Sequence, residues 1–325
     1  MPKLIIITGL TAVAVFMGVA QAQEWPVRPV TMVVPFAAGG PGDVLGRVLA
    51  PRISELLGQP VIVENVGGGG GSIGSLRVAK AAPDGYQFVY GNVGTHAQYQ
   101  SLYKNPLYDA ASNFAPVALI TETSSVLIVR KDLPVSDLPE FIAYAKANQT
   151  KMQYGSGGPG SPQHLTCELF NAAIGVNIIH VPYRGGGPAM QDLIAGRVDY
   201  LCPTTPIAIA QIETKLVKAI ALLARDRSPT LPALATAHEQ GLADFQAGSW
   251  TAFFLPRATP PGVVSKLHNV TVAAMNTPSV QQRLMELGAT VIMPERRSPE
   301  YLQTFVEREI TRWATVIKAS GVTGQ

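Results

Sequence analysis

Arg184 is the one cation that this chain places inside a glycine turn at a strand end, in Val181-Pro182-Tyr183-Arg184-Gly185-Gly186-Gly187. A guanidinium there could grip a carboxylate through two parallel hydrogen bonds, or could pair with a structural acid. Upstream, Tyr154-Gly155-Ser156-Gly157-Gly158-Pro159-Gly160 forms a second such turn. Ser156 and Ser161 are its candidate donors, and Ser161-Pro162 reads as the N-cap and first residue of a helix. A helix amino terminus carries roughly half a positive charge and N–H groups without intrahelical partners. Two such termini facing one cleft would hold an anion such as a carboxylate, with no bond made or broken.

Catalytic readings of the same residues fit less well. A nucleophile elbow needs glycine two positions before the serine, where this chain has Tyr154, and His164 follows Ser156 by only eight residues. The dinucleotide fingerprint GxGxxG occurs at Gly69–Gly74 and at Gly155–Gly160, but it also needs an acid at the end of the following strand. Those strands end in Tyr90-Gly91-Asn92 and Tyr183-Arg184, without a carboxylate. His238-Glu239 lacks a second histidine and no CxxC occurs, so neither a metal nor a cofactor is expected.

Positioning these turns requires a layered α/β architecture. Val30–Pro35 reads as a strand with apolar residues on both faces, and Asp43 opens a helix with Val44, Leu45, Val48, Leu49, Ile53, Leu56 and Leu57 at helical spacing. Strand Pro60–Glu64, the glycine run Gly67–Gly71, a helix from Ser72 and strand Tyr86–Tyr90 complete a doubly wound unit. Thr95 and His96 follow that last strand at its carboxyl end, where ligands bind in such sheets, although His96 also reads as a cap or a satisfied surface histidine. Pro116–Thr121 and Val126–Arg130 read as two strands at a crossing into a second lobe, and Arg225–Pro229 as the return. The expected division is 23–123 with 228–325 in one lobe and 124–227 in the other. In the last helix, Leu302, Phe305, Val306, Ile310, Trp313 and Ile317 form a core-facing stripe.

The 325 residues are 47% apolar and 14% charged, enough to bury a large core and too balanced at net +3 for a nucleic-acid surface. Lys3, the apolar run Leu4–Val19 and Ala20-Gln21-Ala22 have the pattern of an export signal cut after Ala22, with an uncleaved anchor as the alternative. Export makes Cys167 and Cys202 candidates for a disulfide, and two separate buried thiols remain open.

These residues also resemble a known family. WPVRPVTMVVPFAAGG, GGGGGSIG with VAKAAPDGYQF, YGSGGPGSPQHL, VPYRGGGPAMQDLIAGRVD, and RSPTLPAL with SWTAFFLPRATPPGVVSKL resemble the Bug-type extracytoplasmic solute receptors of tripartite tricarboxylate transporters, in the family's order and over the whole mature chain. The resemblance implies a two-lobed, type II periplasmic-binding-protein fold that closes on a small carboxylate. That ligand would be a di- or tricarboxylate, an acidic amino acid or an aromatic acid, delivered by a monomeric receptor to membrane permease subunits or presented to a membrane sensor. It further implies a site built from Phe36, Gly39, Gly40 and Asp43 of the first turn and Ser156, Gly157, Gly160, Ser161 and His164 of the second lobe's turn. Gly70, Ser72, Thr95, His96, Arg184, Gly185 and Thr204 would line the same cleft. Cys202-Pro203 departs from the family's pattern just before Thr204.

Overall fold

The computed structural model describes residues 24–243 and 245–320, and the leader expected over 1–22 lies outside them. The chain runs β1 (Val30–Val34), α1 (Pro41–Leu57), β2 (Val61–Asn65), α2 (Ser72–Ala79), β3 (Gln87–Asn92), α3 (Tyr99–Leu102) and β4 (Phe114–Arg130). It continues through α4 (Leu138–Asn148), β5 (Gln153–Ser156), α5 (Pro162–Ile174), β6 (Ile179–Pro182), α6 (Gly186–Ile194), β7 (Tyr200–Leu201), α7 (Thr205–Glu213) and β8 (Val217–Leu223). It closes with β9 (Gly248–Pro256), α8 (Pro261–Met275), α9 (Pro278–Glu286), β10 (Ala289–Val291) and α10 (Pro299–Ser320).

β1 pairs in parallel with β2 and β3, as its apolar character on both faces requires, and β9 runs antiparallel between β3 and β4. Leu45, Leu49, Ile53 and Leu57 of α1 and Leu302, Phe305, Val306, Trp313 and Ile317 of α10 are buried in the core of this first sheet. In the second sheet β8 and β7 both pair antiparallel with β4, and β5 extends it in parallel to β6.

The two strands expected at 116–121 and 126–130 are one strand. β4 pairs with β9 over Phe114–Ser124 and with β8 over Ser125–Arg130, so a single strand belongs to both sheets. The polar stretch Glu122–Ser125 reads as a break because it carries no apolar side chain, yet its backbone stays in the ladder. Beyond it, alternation sorts the strand: Leu127 and Val129 face a core with Phe141 and Phe170, while Val126 and Ile128 face one with Met190, Leu193 and Ile207.

After β8 the chain stays with the second sheet. Leu222 N–H donates to Ala235 O, Ala237 N–H to Leu222 O, and Ala247 N–H to Leu223 O. Gly248 then pairs with Ser124. We therefore place the return crossing at Gly248, later than the polar stretch at 225–229 suggested. Cys167 of α5 and Cys202 just after β7 form a fully buried disulfide. Among the described residues, hydrogen bonds across this proposed boundary include Ala37 N–H to Arg184 O at 3.1 Å, Tyr103 Oη to Pro159 O at 2.8 Å, and Thr205 Oγ1 to Gly288 O at 2.9 Å.

Candidate ligand-binding site

A narrow cavity of about 50 Å³ lies where the two sheets meet. Four helices begin at it. α1 contributes Pro41 and Gly42, α5 its N-cap Ser161 with Pro162 and Gln163, α6 contributes Gly186, and α7 its N-cap Thr204. The local sequence explains these starts: proline at N1 has no N–H to satisfy, and Ser161 or Thr204 takes the extended backbone of an N-cap. Each terminus carries roughly half a positive charge, and the ionised Asp43 in the first turn of α1 offsets part of that helix's share.

The remaining wall comes from strands. Tyr90 and Asn92 end β3, Thr123 lies at the crossing in β4, and Ser249 and Thr251 lie opposite it in β9. Phe36 and Leu45 add apolar surface. None of the lining residues is Asp, Glu, Lys, Arg or His. Tyr90 Oη donates to Thr251 Oγ1 at 3.1 Å, and Thr251 Oγ1 lies 2.7 Å from Thr121 Oγ1. Burial pushes the Tyr90 hydroxyl well above its ordinary pKa, so it stays a donor. The Asn92 Oδ1 accepts from Thr95 N–H at 3.1 Å, which leaves its Nδ2 as the group it can offer the cavity.

Of the residues expected from sequence, Phe36, Gly157, Ser161 and Thr204 line this cavity, and most of the others hold its walls. Gly39 N–H donates to Asp43 Oδ2 at 3.0 Å, and Asp43 Oδ1 accepts from Arg47 at 2.9 Å. Burial opposes ionisation of Asp43, but the Arg47 guanidinium and Gly39 N–H overcome it and hold the carboxyl below its usual range. Gly40 and Gly185 cap α1 and α6, and Ser72 is buried in the first turn of α2. Gly70 meets the opposite lobe: a Cβ there would lie 2.0 Å from Pro159 O, and its φ of +62° is one that glycine adopts without strain. Gly160 N–H donates to His164 Nδ1, and His164 N–H to Ser161 Oγ.

Arg184 lies otherwise than a bidentate clamp requires. Its side chain is exposed, and its carbonyl receives Ala37 N–H. Thr95 and His96 are buried behind the wall, with His96 stacked on Phe254 at 4.0 Å. Ser156 is fully buried, bonded to His180 Nε2 at 2.7 Å and accepting Gly158 N–H, so it shapes its turn and does not line the cavity. Burial, reinforced by His164, lowers His180 to about 3 and keeps it neutral.

Sequence reasoning missed Tyr90, Asn92, Thr123, Ser249, Thr251, Gln163, Gly186, Pro41, Gly42, Leu45 and Pro162. A usable signal existed for some of them, since Ser249 and Thr251 are hydroxyl residues in the largely apolar β9, and Thr123 sits in the polar stretch where β4 crosses.

Residues 45–322 match the model of the tripartite tricarboxylate transporter family receptor. The chain belongs to this family. It is a periplasmic-binding-protein-like α/β protein in a family of solute receptors, not enzymes. The structure of the periplasmic binding protein BugD is similar, with a TM-score of 0.89 and 40% identity over 93% of this chain and 100% of that one. MatC (Rpa3494) from Rhodopseudomonas palustris, solved with bound malate, has a TM-score of 0.87 and 41% identity, covering 90% and 100%. Rpa4515 of R. palustris, solved with adipate, has a TM-score of 0.87 and 36% identity, covering 92% and 99%.

Proposed function

We propose that this receptor is exported to the periplasm with its leader removed after Ala22, captures a small carboxylate between its lobes as a monomer, and delivers it to the membrane permease subunits of a tripartite transporter. The carrying observation is the convergence of four helix amino termini on a cavity without ionised side chains. Such a cavity favours an anion and has neither a base nor a nucleophile activated for chemistry. The malate and adipate seen in the two related structures support the ligand class. A charge-assisted hydrogen bond contributes about 1.5 to 3 kcal/mol, so several N–H and hydroxyl donors reach the roughly 8 kcal/mol of micromolar binding.

The test is a thermal-shift screen of the mature protein across mono-, di- and tricarboxylates, acidic amino acids and aromatic acids, followed by calorimetry and by NMR of the recovered ligand. Stabilisation by a carboxylate recovered unchanged is expected. A flat screen, or conversion of the ligand, would overturn the proposal.

A further inference from the structure

Beside α9 and β10 lies a second groove, which shares no lining residue with the cavity between the sheets. Its volume is about 590 Å³, within the range of small-molecule sites. Residues 228–230, Met285 of α9, the chain over 288–294, Asn276 and Arg297 line it. Arg297 is the one charged residue among them, and no acid stands in the lining.

Arg297 is only 5% exposed, and a buried charge is costly unless it is paired. Its Nε donates to Ile292 O at 2.7 Å and its Nη1 to Asn276 Oδ1 at 2.7 Å, while Nη2 makes no hydrogen bond among the described residues. Burial lowers the Arg297 pKa from its ordinary value, and the charge of Glu295, an exposed residue that forms no ion pair with it, offsets this only in part. Asn276 is the C-cap of α8, so the negative end of that helix supplies about half a charge. The rest of the cation is left for a guest in the groove.

The other lining groups describe the guest's body. Met285 and Met293 are 55% and 59% exposed, and with Val291 and Ile292 they give the groove an apolar, adaptable surface. Ser228 Oγ lies 2.8 Å from Thr230 Oγ1, so whichever hydroxyl accepts keeps its own hydrogen to donate.

We propose that this groove is a second ligand site, separate from the cavity between the sheets, that takes an amphiphilic monocarboxylate: one carboxylate on the Arg297 guanidinium and an apolar chain or ring along the methionines. The guanidinium fork matches a carboxylate with two donors. One cation without an acid selects a single negative charge. A dianion would leave its second charge against methionine, an ammonium would face a like charge, and an alcohol would leave the guanidinium uncompensated.

The experiment titrates octanoate into the receptor carrying ¹³C-methyl methionine and follows the methyl signals by NMR, with octanol, octylamine and succinate as comparisons. Met285 and Met293 should shift saturably, while the buried Met32 and Met152 should hold still. Octanoate should bind at least tenfold more tightly than each of the other three by these shifts. Calorimetry should show a loss of tenfold or more for Arg297→Met. Because Arg297 also holds Ile292 and Asn276, melting curves check that this variant folds, and the exposed substitution Met285→Glu gives a second test with an expected loss of at least threefold. Unmoved Met285 and Met293 signals, octanol binding as well as octanoate, or unchanged octanoate affinity in Met285→Glu overturns the site. None of these readouts depends on what the cavity between the sheets binds.

Discussion

The Ala37 N–H donates to Arg184 O at 3.1 Å, so the cation that the sequence singles out meets the opposite lobe through its main chain. Arg184→Ala keeps that carbonyl and removes only an exposed guanidinium, whose typical worth is under about 1 kcal/mol. Affinity for the strongest carboxylate ligand should stay within about fivefold of wild type by calorimetry. Gly67→Ala should do the damage instead, because a Cβ there would lie 2.6 Å from Arg184 O and 2.9 Å from Ala37 N. With this contact between the lobes strained, the arrangement seen here is less populated, and if it is the binding-competent one apparent affinity falls with its population by roughly tenfold or more. Small-angle scattering that still shows ligand-driven closure of Gly67→Ala would count against this account.

His96 sits among Phe254, Phe114 and Tyr108 with only the Thr95 hydroxyl at its Nδ1, 2.8 Å away, and burial lowers its pKa to about 3. The unfolded chain takes up the proton near pH 6.5 while the folded chain refuses it. The stability this group contributes is therefore complete above about pH 6.5 and is lost as pH falls toward 3, at roughly 1.4 kcal/mol per pH unit. His96→Phe keeps an aromatic ring in the cluster and removes the proton site. Urea melts of wild type and variant at pH 7 and pH 5 should show a smaller drop in the variant; parallel drops would refute the assignment.

What could be read from the sequence was what depends on neighbours along the chain. A glycine with positive φ, a proline at N1 and a serine N-cap act within one turn, so the glycine turns and the start of α5 were visible, while α1, expected from Asp43, begins two residues earlier at Pro41. Tyr90, Thr251 and Ser249 were not visible. Which face of β9 looks into the cavity is set by its pairing with β3 and β4, whose partners lie more than a hundred residues away in sequence. The return we place at Gly248 differs from the expected one for the same reason: Arg225–Pro229 is locally a break, but the hydrogen bonds of Leu222 and Leu223 hold the following segment against the second sheet. Arg184 was weighted by its charge, while side-chain direction follows from how the turn packs against Ala37.

Glu309 of α10 fastens the terminal helix to the crossing. Its Oε2 accepts from Trp250 Nε1 at 3.0 Å and Trp313 Nε1 at 3.2 Å, and its Oε1 from Arg312 at 3.0 Å. Glu309→Leu leaves two buried indole N–H groups unpaired and should cost about 3 kcal/mol, while Glu309→Gln keeps an acceptor and should cost less. Urea denaturation followed by tryptophan emission measures both. Equal stability of the leucine variant and wild type would show that the indoles find other acceptors.

The Cys167–Cys202 disulfide ties α5, four residues after Gln163, to the chain two residues before Thr204. It spans 35 residues, for which the chain-entropy account gives roughly 4 kcal/mol. The Cys167→Ala/Cys202→Ala double variant should therefore melt well below wild type. Because the bond also fixes the spacing between the two helix starts, carboxylate affinity should fall even at temperatures where the variant is fully folded. A variant that melts early yet binds with wild-type affinity would confine the bond to stability. Both sulfurs are buried, so reductant alone should act slowly on the folded receptor and faster once heat opens the lobe. Rates of thiol labelling across the melting transition measure that difference.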